Sequence, residues 1–234
     1  MVIRMTSLLP RRTVLASLTA VSAAALLAAC SDSGGSAQAQ TSASSGAAVP
    51  AARGTVDMAK LVAEGSLPDQ VIGNADAPVT IVEYASMTCG HCANFHRDTL
   101  PVIKKDYVDT GKVRMIFREF PFDPRAEAAF MLARCSDDKY FAMIDVLFQQ
   151  QNNWAGVENA SEALLQIARL AGFSQESFEA CLTNQKLLDD VRAVRQRGAN
   201  DFGVDATPTF FINGNKYSGA LTVAEMSAII DSML

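Results

Sequence analysis

The residues best suited to chemistry in this sequence are two cysteines separated by two residues, in the run Cys89-Gly90-His91-Cys92. Residues three positions apart on a helix lie on the same side of it, so their sulfur atoms can form a disulfide without a change in the backbone. A C-x-x-C pair between a strand and a helix is typical of thiol–disulfide exchange. We therefore predict a redox-active pair.

Cys89 is the expected attacking sulfur because it should lie in the first turn of the following helix. Unpaired amide groups and the helix dipole favour an anion there, and His91 can add positive charge or a hydrogen bond. The sequence thus predicts a Cys89 thiolate at neutral pH. Cys92, one turn further into the helix, would be shielded and would resolve the mixed disulfide.

Two alternatives to a redox pair remain open. The pair could be half of a zinc site, although the sequence has no second C-x-x-C and His96 offers only a loose C-x₂-C-x₃-H grouping. It could also be an inert structural disulfide, although so tight a ring would constrain an unfolded chain only slightly.

A strand, a helix and a second strand should position the cysteines. Residues 79–86 predict a strand, helical signals run from just after Cys89 to about Asp109, and residues 113–120 predict a second strand. This order gives a βαβ unit with parallel strands. Pro101 predicts a kink in the helix, since it removes a backbone donor.

The remainder of the chain is mostly helical by its apolar spacing. Asn213-Gly214 predicts a hairpin between strands at 209–212 and 216–218, and Gly172 and Gly198 are interpreted as helix breaks or caps. Helices are expected at 57–64, 126–135, 139–150, 161–171, 174–182, 186–201 and 222–233. The fold class is thus α/β, with one domain over 56–234 and a large helical insertion at about 121–201.

The first residues have the features of an export signal. A basic stretch ending at Arg11 and Arg12 precedes a short apolar run, which predicts a signal peptide over 1–29. The run ends in L-A-A-C, a bacterial lipobox pattern in which Cys30 would be lipidated, and residues 30–55 would be the lipidated cysteine and a flexible linker. Cleavage of an ordinary signal after Ala39 is the alternative.

Composition excludes two broad classes of protein. With 234 residues, 49% of them hydrophobic, the chain is not disordered throughout. A net charge of −5 and a pI of about 5.1 argue against non-specific nucleic-acid binding, which depends on Lys and Arg. We expect no nucleic-acid partner.

Four sequence runs together resemble the DsbA-like thiol:disulfide oxidoreductases of the thioredoxin superfamily, over about residues 71–234. They are V-T-I-V-E-Y in the first strand, C-G-H-C followed by A-N-F-H, F-R-E-F-P-F, and V-D-A-T-P-T-F-F-I-N-G. The resemblance implies a thioredoxin fold whose helical insertion caps the active site. It also implies that Pro208 is cis and faces Cys89, and that the backbone of Thr207 pairs with a bound substrate peptide.

Glu83 lies six residues before Cys89 in an otherwise apolar strand, where a carboxylate would be buried. Because burial disfavours the charged form of a carboxyl group, Glu83 would suit a proton carrier for Cys92, and the family carries an acid at this position. A partly solvated Glu83 is the alternative. His96 is interpreted as a surface or packing residue, and Trp154 as packing in a loop of the insertion.

Two cysteines of the insertion, Cys135 and Cys181, remain. Four cysteines allow three pairings, but the closeness of Cys89 and Cys92 favours a structural Cys135–Cys181 disulfide, as a subset of the family has. Two buried free thiols are the alternative.

The resemblance implies an enzyme that donates disulfide bonds to exported proteins in the periplasm. It would act as a monomer without cofactor or metal, held to a membrane by its lipid and served by a DsbB-like or DsbD-like membrane redox partner. A periplasmic disulfide reductase or isomerase is the first alternative, because Gly-His resembles the dipeptide of protein disulfide isomerase. A metal carrier using Cys89, Cys92 and His96 is the second.

Overall fold

The computed structural model describes residues 48–234. The predicted signal peptide over 1–29, the lipidated Cys30 and most of the linker lie outside these residues, as does the alternative cleavage site after Ala39. Within 48–234, no helix has both the length and the apolar character needed to cross a bilayer.

A five-stranded mixed sheet forms the centre of the fold, in the order β1-β3-β2-β4-β5. Strands β2 and β3 are parallel, as the βαβ pattern predicted, and the other neighbours are antiparallel. The strands are β1 (Gln70–Ile72), β2 (Val79–Ala85), β3 (Val113–Glu119), β4 (Thr209–Ile212) and β5 (Asn215–Ser218). In the β4–β5 turn, Asn213 and Gly214 have φ of 45° and 85°, which is the conformation that an Asn-Gly pair favours.

The helix after the cysteine pair, here α2, alternates between two helical forms. It consists of α segments Gly90–Asn94 and Leu100–Ile103 and π segments Phe95–Thr99 and Lys104–Val108. Pro101 lies in the first turn of the second α segment, just after a π segment. The missing amide of Pro101 is therefore accommodated by a local change of helix type, which the sequence prediction of a kink did not specify.

Within residues 48–234, eight further helices surround the sheet, and most start or end within two residues of the sequence predictions. They are α1 (Met58–Leu61), α3 (Pro124–Arg134), α4 (Tyr140–Gln149), α5 (Gln151–Trp154), α6 (Ala160–Leu170), α7 (Gln175–Leu182), α8 (Gln185–Phe202) and α9 (Val223–Asp231), with a 3₁₀ turn at Asp137–Lys139. Helices α3 to α7 and most of α8 make up the predicted helical insertion between β3 and β4. Trp154 packs in the core as expected, but it ends the short helix α5 and does not lie in a loop.

The sheet packs against helices on both faces because side chains alternate along its strands. Ile81 of β2 contacts the cluster formed with α2 and α9, whereas Val82 and Tyr84 belong to the cluster that includes Phe202 of α8. The insertion helices form a third cluster, which reaches Cys92 at the start of α2. Glu83 therefore shares the face of Ile81, which is covered by α2.

The prediction that Gly198 breaks or caps a helix is wrong. The residue lies inside α8, and the helix ends five residues later at Gly203, which is left-handed with φ of 62°. A Cβ atom on Gly198 would lie 2.7 Å from Cε1 of Tyr84. The glycine is therefore explained by the close approach of α8 to the sheet and not by a helix end. Gly172, with φ of 100°, does follow the end of α6.

Candidate active site

Cys89 is the N-cap residue of α2, directly after the turn that follows β2. Its amide donates to the carbonyl oxygen of Ser86 at 3.0 Å, and its own carbonyl accepts the first helical hydrogen bond, from Ala93. The side chain is partly exposed, and the backbone amides of His91 and Cys92 in the first helical turn act on its sulfur atom. This is the position in which a helix favours an anion.

Hydrogen bonds lower the pKa of Cys89 to about 5 from its ordinary value of 9.0. The largest contribution is the thiol of Cys92, which donates to the Cys89 sulfur. The hydroxyl of Thr207 and the backbone amides of Cys92 and His91 act in the same direction, and partial burial opposes them. The contribution of His91 comes from its backbone, since its side chain is exposed to solvent.

Cys92 has the opposite character. It is fully buried, and burial raises its pKa well above the ordinary value, with further increases from the hydrogen bond to Cys89 and from the charge of Glu83. Neither sulfur is in a disulfide, so the structure describes the dithiol form. At neutral pH the pair consists of one thiolate and one thiol, and deprotonation of Cys92 requires a base.

A loop from the far end of the chain completes the surroundings of Cys89. The Thr207–Pro208 peptide bond is cis, and the Cys89 sulfur lies 3.3 Å from the carbonyl oxygen of Thr207. The hydroxyl oxygen of Thr207 is buried, and within the described residues it has no partner that meets strict hydrogen-bond geometry. When Cys89 is a thiol it can donate to the carbonyl, and when it is a thiolate the nearby hydroxyl can turn towards it.

Glu83 is completely buried, between Phe117 and Phe210 in the sheet. Its two carboxylate oxygens each lie 3.2 Å from Nε2 of His96, on the overlying α2. His96 is also buried, so the prediction that it is a surface residue is wrong. It does pack in the core, but it also makes a polar contact with Glu83 that the prediction did not include. The signal available in the sequence was that a buried strand carboxylate needs a partner from the helix that covers it.

Two residues of the insertion that the sequence analysis missed hold the loop before α2. The side-chain amide of Gln151 donates to the carbonyl oxygens of Met87 and Cys89, at 2.8 and 3.0 Å. Thr88 donates to the carboxylate of Asp123 at 2.6 Å, and the same carboxylate caps α3. A lone glutamine 62 residues from Cys89 carries no sequence signal for such a contact.

The two cysteines of the insertion are joined. Cys135, just after α3, and Cys181, in α7, form a disulfide with a Cα–Cα distance of 6.2 Å. The alternative of two free thiols does not hold in this structure. Among residues 48–234, no three His, Cys, Asp or Glu side chains are grouped so that they could hold a metal ion.

Residues 66–232, which are most of the chain, match the model of the family described as Thioredoxin. The chain belongs to the thioredoxin family. Among solved structures, this thioredoxin-family protein is similar to Wolbachia pipientis alpha-DsbA1, with 34% sequence identity and a TM-score of 0.69 over 74% of this chain and 94% of that one. The predicted fold class, a thioredoxin fold with a helical insertion of the DsbA type, is thereby confirmed.

Relatives of this thioredoxin-family protein have names that refer to disulfide chemistry. A Rickettsia felis protein provisionally named protein-disulfide oxidoreductase is 34% identical over 71% of this chain and 60% of its own length. A Bacillus anthracis protein provisionally named disulfide bond formation protein D is 30% identical over 62% of this chain and 70% of its own length. The chain spans 54 to 64% of the length of the Rickettsia relatives it matches.

Proposed function

We propose that this protein is a thiol–disulfide oxidoreductase that introduces disulfide bonds into exported proteins. The observation that carries the proposal is the Cys89 sulfur, with a pKa of about 5, at the start of α2 beside Thr207 and Pro208. Such a sulfur is a thiolate at neutral pH and is a good leaving group from a mixed disulfide.

The proposed reaction transfers a disulfide and two electrons. A substrate thiolate attacks Cys89 of the Cys89–Cys92 disulfide, which forms a mixed disulfide and releases the Cys92 sulfur, and that sulfur takes up a proton. A second substrate thiolate then attacks the substrate sulfur of the mixed disulfide and releases Cys89 as a thiolate. The substrate dithiol is oxidised to a disulfide, and the enzyme disulfide is reduced to the dithiol.

The low pKa of Cys89 favours donation of the disulfide over reduction of substrates. A stabilised thiolate stabilises the dithiol form of the enzyme, which makes its disulfide more oxidising. A disulfide reductase or isomerase is the alternative, with a less oxidising potential. In our proposal Glu83 exchanges the proton of Cys92, His91 contributes its amide, and the backbone of Thr207, before Pro208, pairs with the substrate.

We further propose the cellular setting. A signal over 1–29, lipidation at Cys30 and a linker to residue 55 would place the domain over 56–234 in the periplasm, held to a membrane. Its partners would be unfolded or partly folded exported proteins and a membrane protein that reoxidises it. Support comes from the sequence pattern and from relatives named for disulfide chemistry.

Trapping of mixed disulfides tests the exchange chemistry. Cys92→Ala in the full chain should accumulate mixed disulfides with an unfolded client protein that carries a disulfide, because the Cys89 thiolate attacks that disulfide, releases one client thiolate and has no Cys92 to resolve the adduct. The matched variant Cys89→Ala should accumulate none. If neither variant forms adducts, the protein is not an oxidoreductase of this kind. The metal-carrier alternative predicts that outcome.

The direction of electron flow is tested by the reduction potential, measured by equilibration with glutathione. We expect a value between those of protein disulfide isomerase and DsbA, about −180 to −120 mV. A value below about −230 mV would assign the protein to the reductases.

A further inference from the structure

The imidazole ring of His96 is held in a fixed orientation among aromatic side chains. The ring of Phe148 lies against it with 4.3 Å between centroids, and Phe95 and Phe117 contact it edge-on at 5.7 and 5.4 Å. One ring nitrogen, Nε2, faces both carboxylate oxygens of Glu83 at 3.2 Å. Hydrophobic packing alone does not require a histidine at this position. The three aromatic rings cover the imidazole where it faces Glu83, and Glu83 itself is completely buried.

The second ring nitrogen of His96 has no partner among the described residues. Nδ1 is buried, yet no protein donor or acceptor meets it. His96 also lines a cavity of about 150 Å³, together with Asp145, Lys104, Phe148, Pro101 and Gln149 among others. A cavity of this size with charged and amide side chains in its lining can hold several water molecules, and a buried imidazole nitrogen without a protein partner is a natural contact for one of them.

Charged side chains that are exposed to solvent line this cavity. Asp145, on α4, is exposed, and partial desolvation raises the pKa of its carboxyl group. The exposed Arg97 and Lys104 of α2 face the same cavity. From the sheet, Glu83 is the charged group that contacts His96. The ring therefore lies between a buried carboxylate and a solvent-accessible acid.

Cys92 creates a need for proton transfer in this buried region. In oxidation of the enzyme, the Cys92 thiol must lose its proton before its sulfur can attack the mixed disulfide at Cys89. In reduction of the enzyme, the released Cys92 sulfur must gain one. Glu83 acts electrostatically on Cys92, but it is completely buried and needs its own route to solvent.

We propose that His96 is a positioning residue that holds Glu83 and passes protons between it and water in the Asp145 cavity. The inference deepens the proposed function and rests on it. Before the step, the pair is a carboxylate and an imidazolium. Glu83 takes the proton of Cys92, and Nδ1 of His96 releases a proton to the cavity, which leaves a carboxylic acid and a neutral imidazole. Reduction of the enzyme reverses the step.

Net charge explains why a histidine serves here. Both states of the pair are neutral overall, so the Cys92 thiolate is the one charge that the transfer adds to the buried site, and its attack on the mixed disulfide removes that charge. In both states Nε2 carries a hydrogen and donates to Glu83. An amide at this position would keep that hydrogen bond but could not release a proton.

The experiment follows the reaction of the full-length dithiol enzyme with glutathione disulfide, stopped with acid and analysed by mass spectrometry. The first step, attack by Cys89, forms an enzyme–glutathione adduct. The second step, attack by Cys92, removes the adduct. In His96→Gln we expect the second step to slow by at least about tenfold, as for loss of a general acid–base group. The first step should stay within about twofold of wild type, because Cys89 is already a thiolate.

A matched pair of carboxylate variants tests whether protons pass through the cavity that Asp145 lines. Asp145→Asn should slow the second step measurably, whereas Asp201→Asn, an exposed acid on α8 without a side-chain hydrogen bond, should not. This pair also carries the test if His96→Gln does not fold.

The outcomes separate the inference from the proposed function. Equal slowing of both steps in His96→Gln, or a second step within twofold of wild type, would show that His96 only packs. Identical rates for Asp145→Asn and Asp201→Asn would overturn the cavity route. If the wild-type enzyme forms no adduct at all, the proposed function itself fails.

Discussion

The sulfur atom of Cys89 lies 3.3 Å from the carbonyl oxygen of Thr207, although the two residues are 118 positions apart in the chain. The helix start alone supplies amides to the sulfur, but the Thr207 loop brings a carbonyl and a buried hydroxyl to its other side. The state of Cys89 is therefore set by two separate segments, which the fold brings together.

Substitutions of His91 should separate the effect of its backbone amide on the pKa of Cys89 from that of its side chain. His91→Pro removes the amide that favours the thiolate, at a helix position where proline is tolerated, so we expect a higher pKa of Cys89. His91→Ala keeps the amide and should leave the pKa close to about 5. Thiolate absorbance at 240 nm as a function of pH measures both. An equal increase in the two variants would mean that the exposed imidazole is the source of the effect.

The stability of the dithiol form should increase with pH between about 5 and 9. The folded pKa of Cys89 is about 5 and its ordinary value is 9.0, so the unfolded chain binds more protons in this window. The stabilisation is complete above the unfolded pKa and is lost as pH falls through the folded one. Denaturant unfolding of the reduced protein measures it, with Cys89→Ala as the control. A pH dependence that is identical in the two proteins would contradict the lowered pKa.

The Cys135–Cys181 disulfide should stabilise the domain without tuning the thiolate. It closes a loop with a sequence separation of 46 residues, for which the chain-entropy model gives about 4 kcal/mol. The double variant Cys135→Ala/Cys181→Ala should lower the free energy of unfolding by up to that amount, measured by denaturant titration. The pKa of Cys89 should not change, and a shift in it would indicate that the two cysteine pairs are coupled.

Gly198→Ala should destabilise the protein, although alanine is the better helix former. The added methyl group would lie 2.7 Å from the ring of Tyr84, and overpacking of this kind costs about 1–3 kcal/mol. Thermal and denaturant unfolding measure the loss. Gly156→Ala is the matched control, because a Cβ there meets nothing within 4 Å. A Gly198→Ala variant more stable than wild type would show that α8 can move away from the sheet.

The tertiary structure corrected the sequence analysis where a contact joins distant segments. Periodicity located Gly198 in a helical region but could not show that the ring of Tyr84 passes beside it. The pattern likewise placed His96 on a helix and Glu83 on a strand without showing their contact, because the way in which a helix covers a sheet is not a local property.

The sequence by itself determined the local chemistry of this protein. The cysteine spacing, the strand before it and the helix after it define a thiol pair at a helix N-terminus, and Asn213-Gly214 defines a hairpin, because these depend on neighbouring residues only. The tertiary structure decided what surrounds that pair. It placed Thr207 against Cys89, Gln151 against the loop before α2, and His96 between Glu83 and a cavity. Each of these contacts depends on the register and packing of segments far apart in the chain, which side-chain periodicity does not encode.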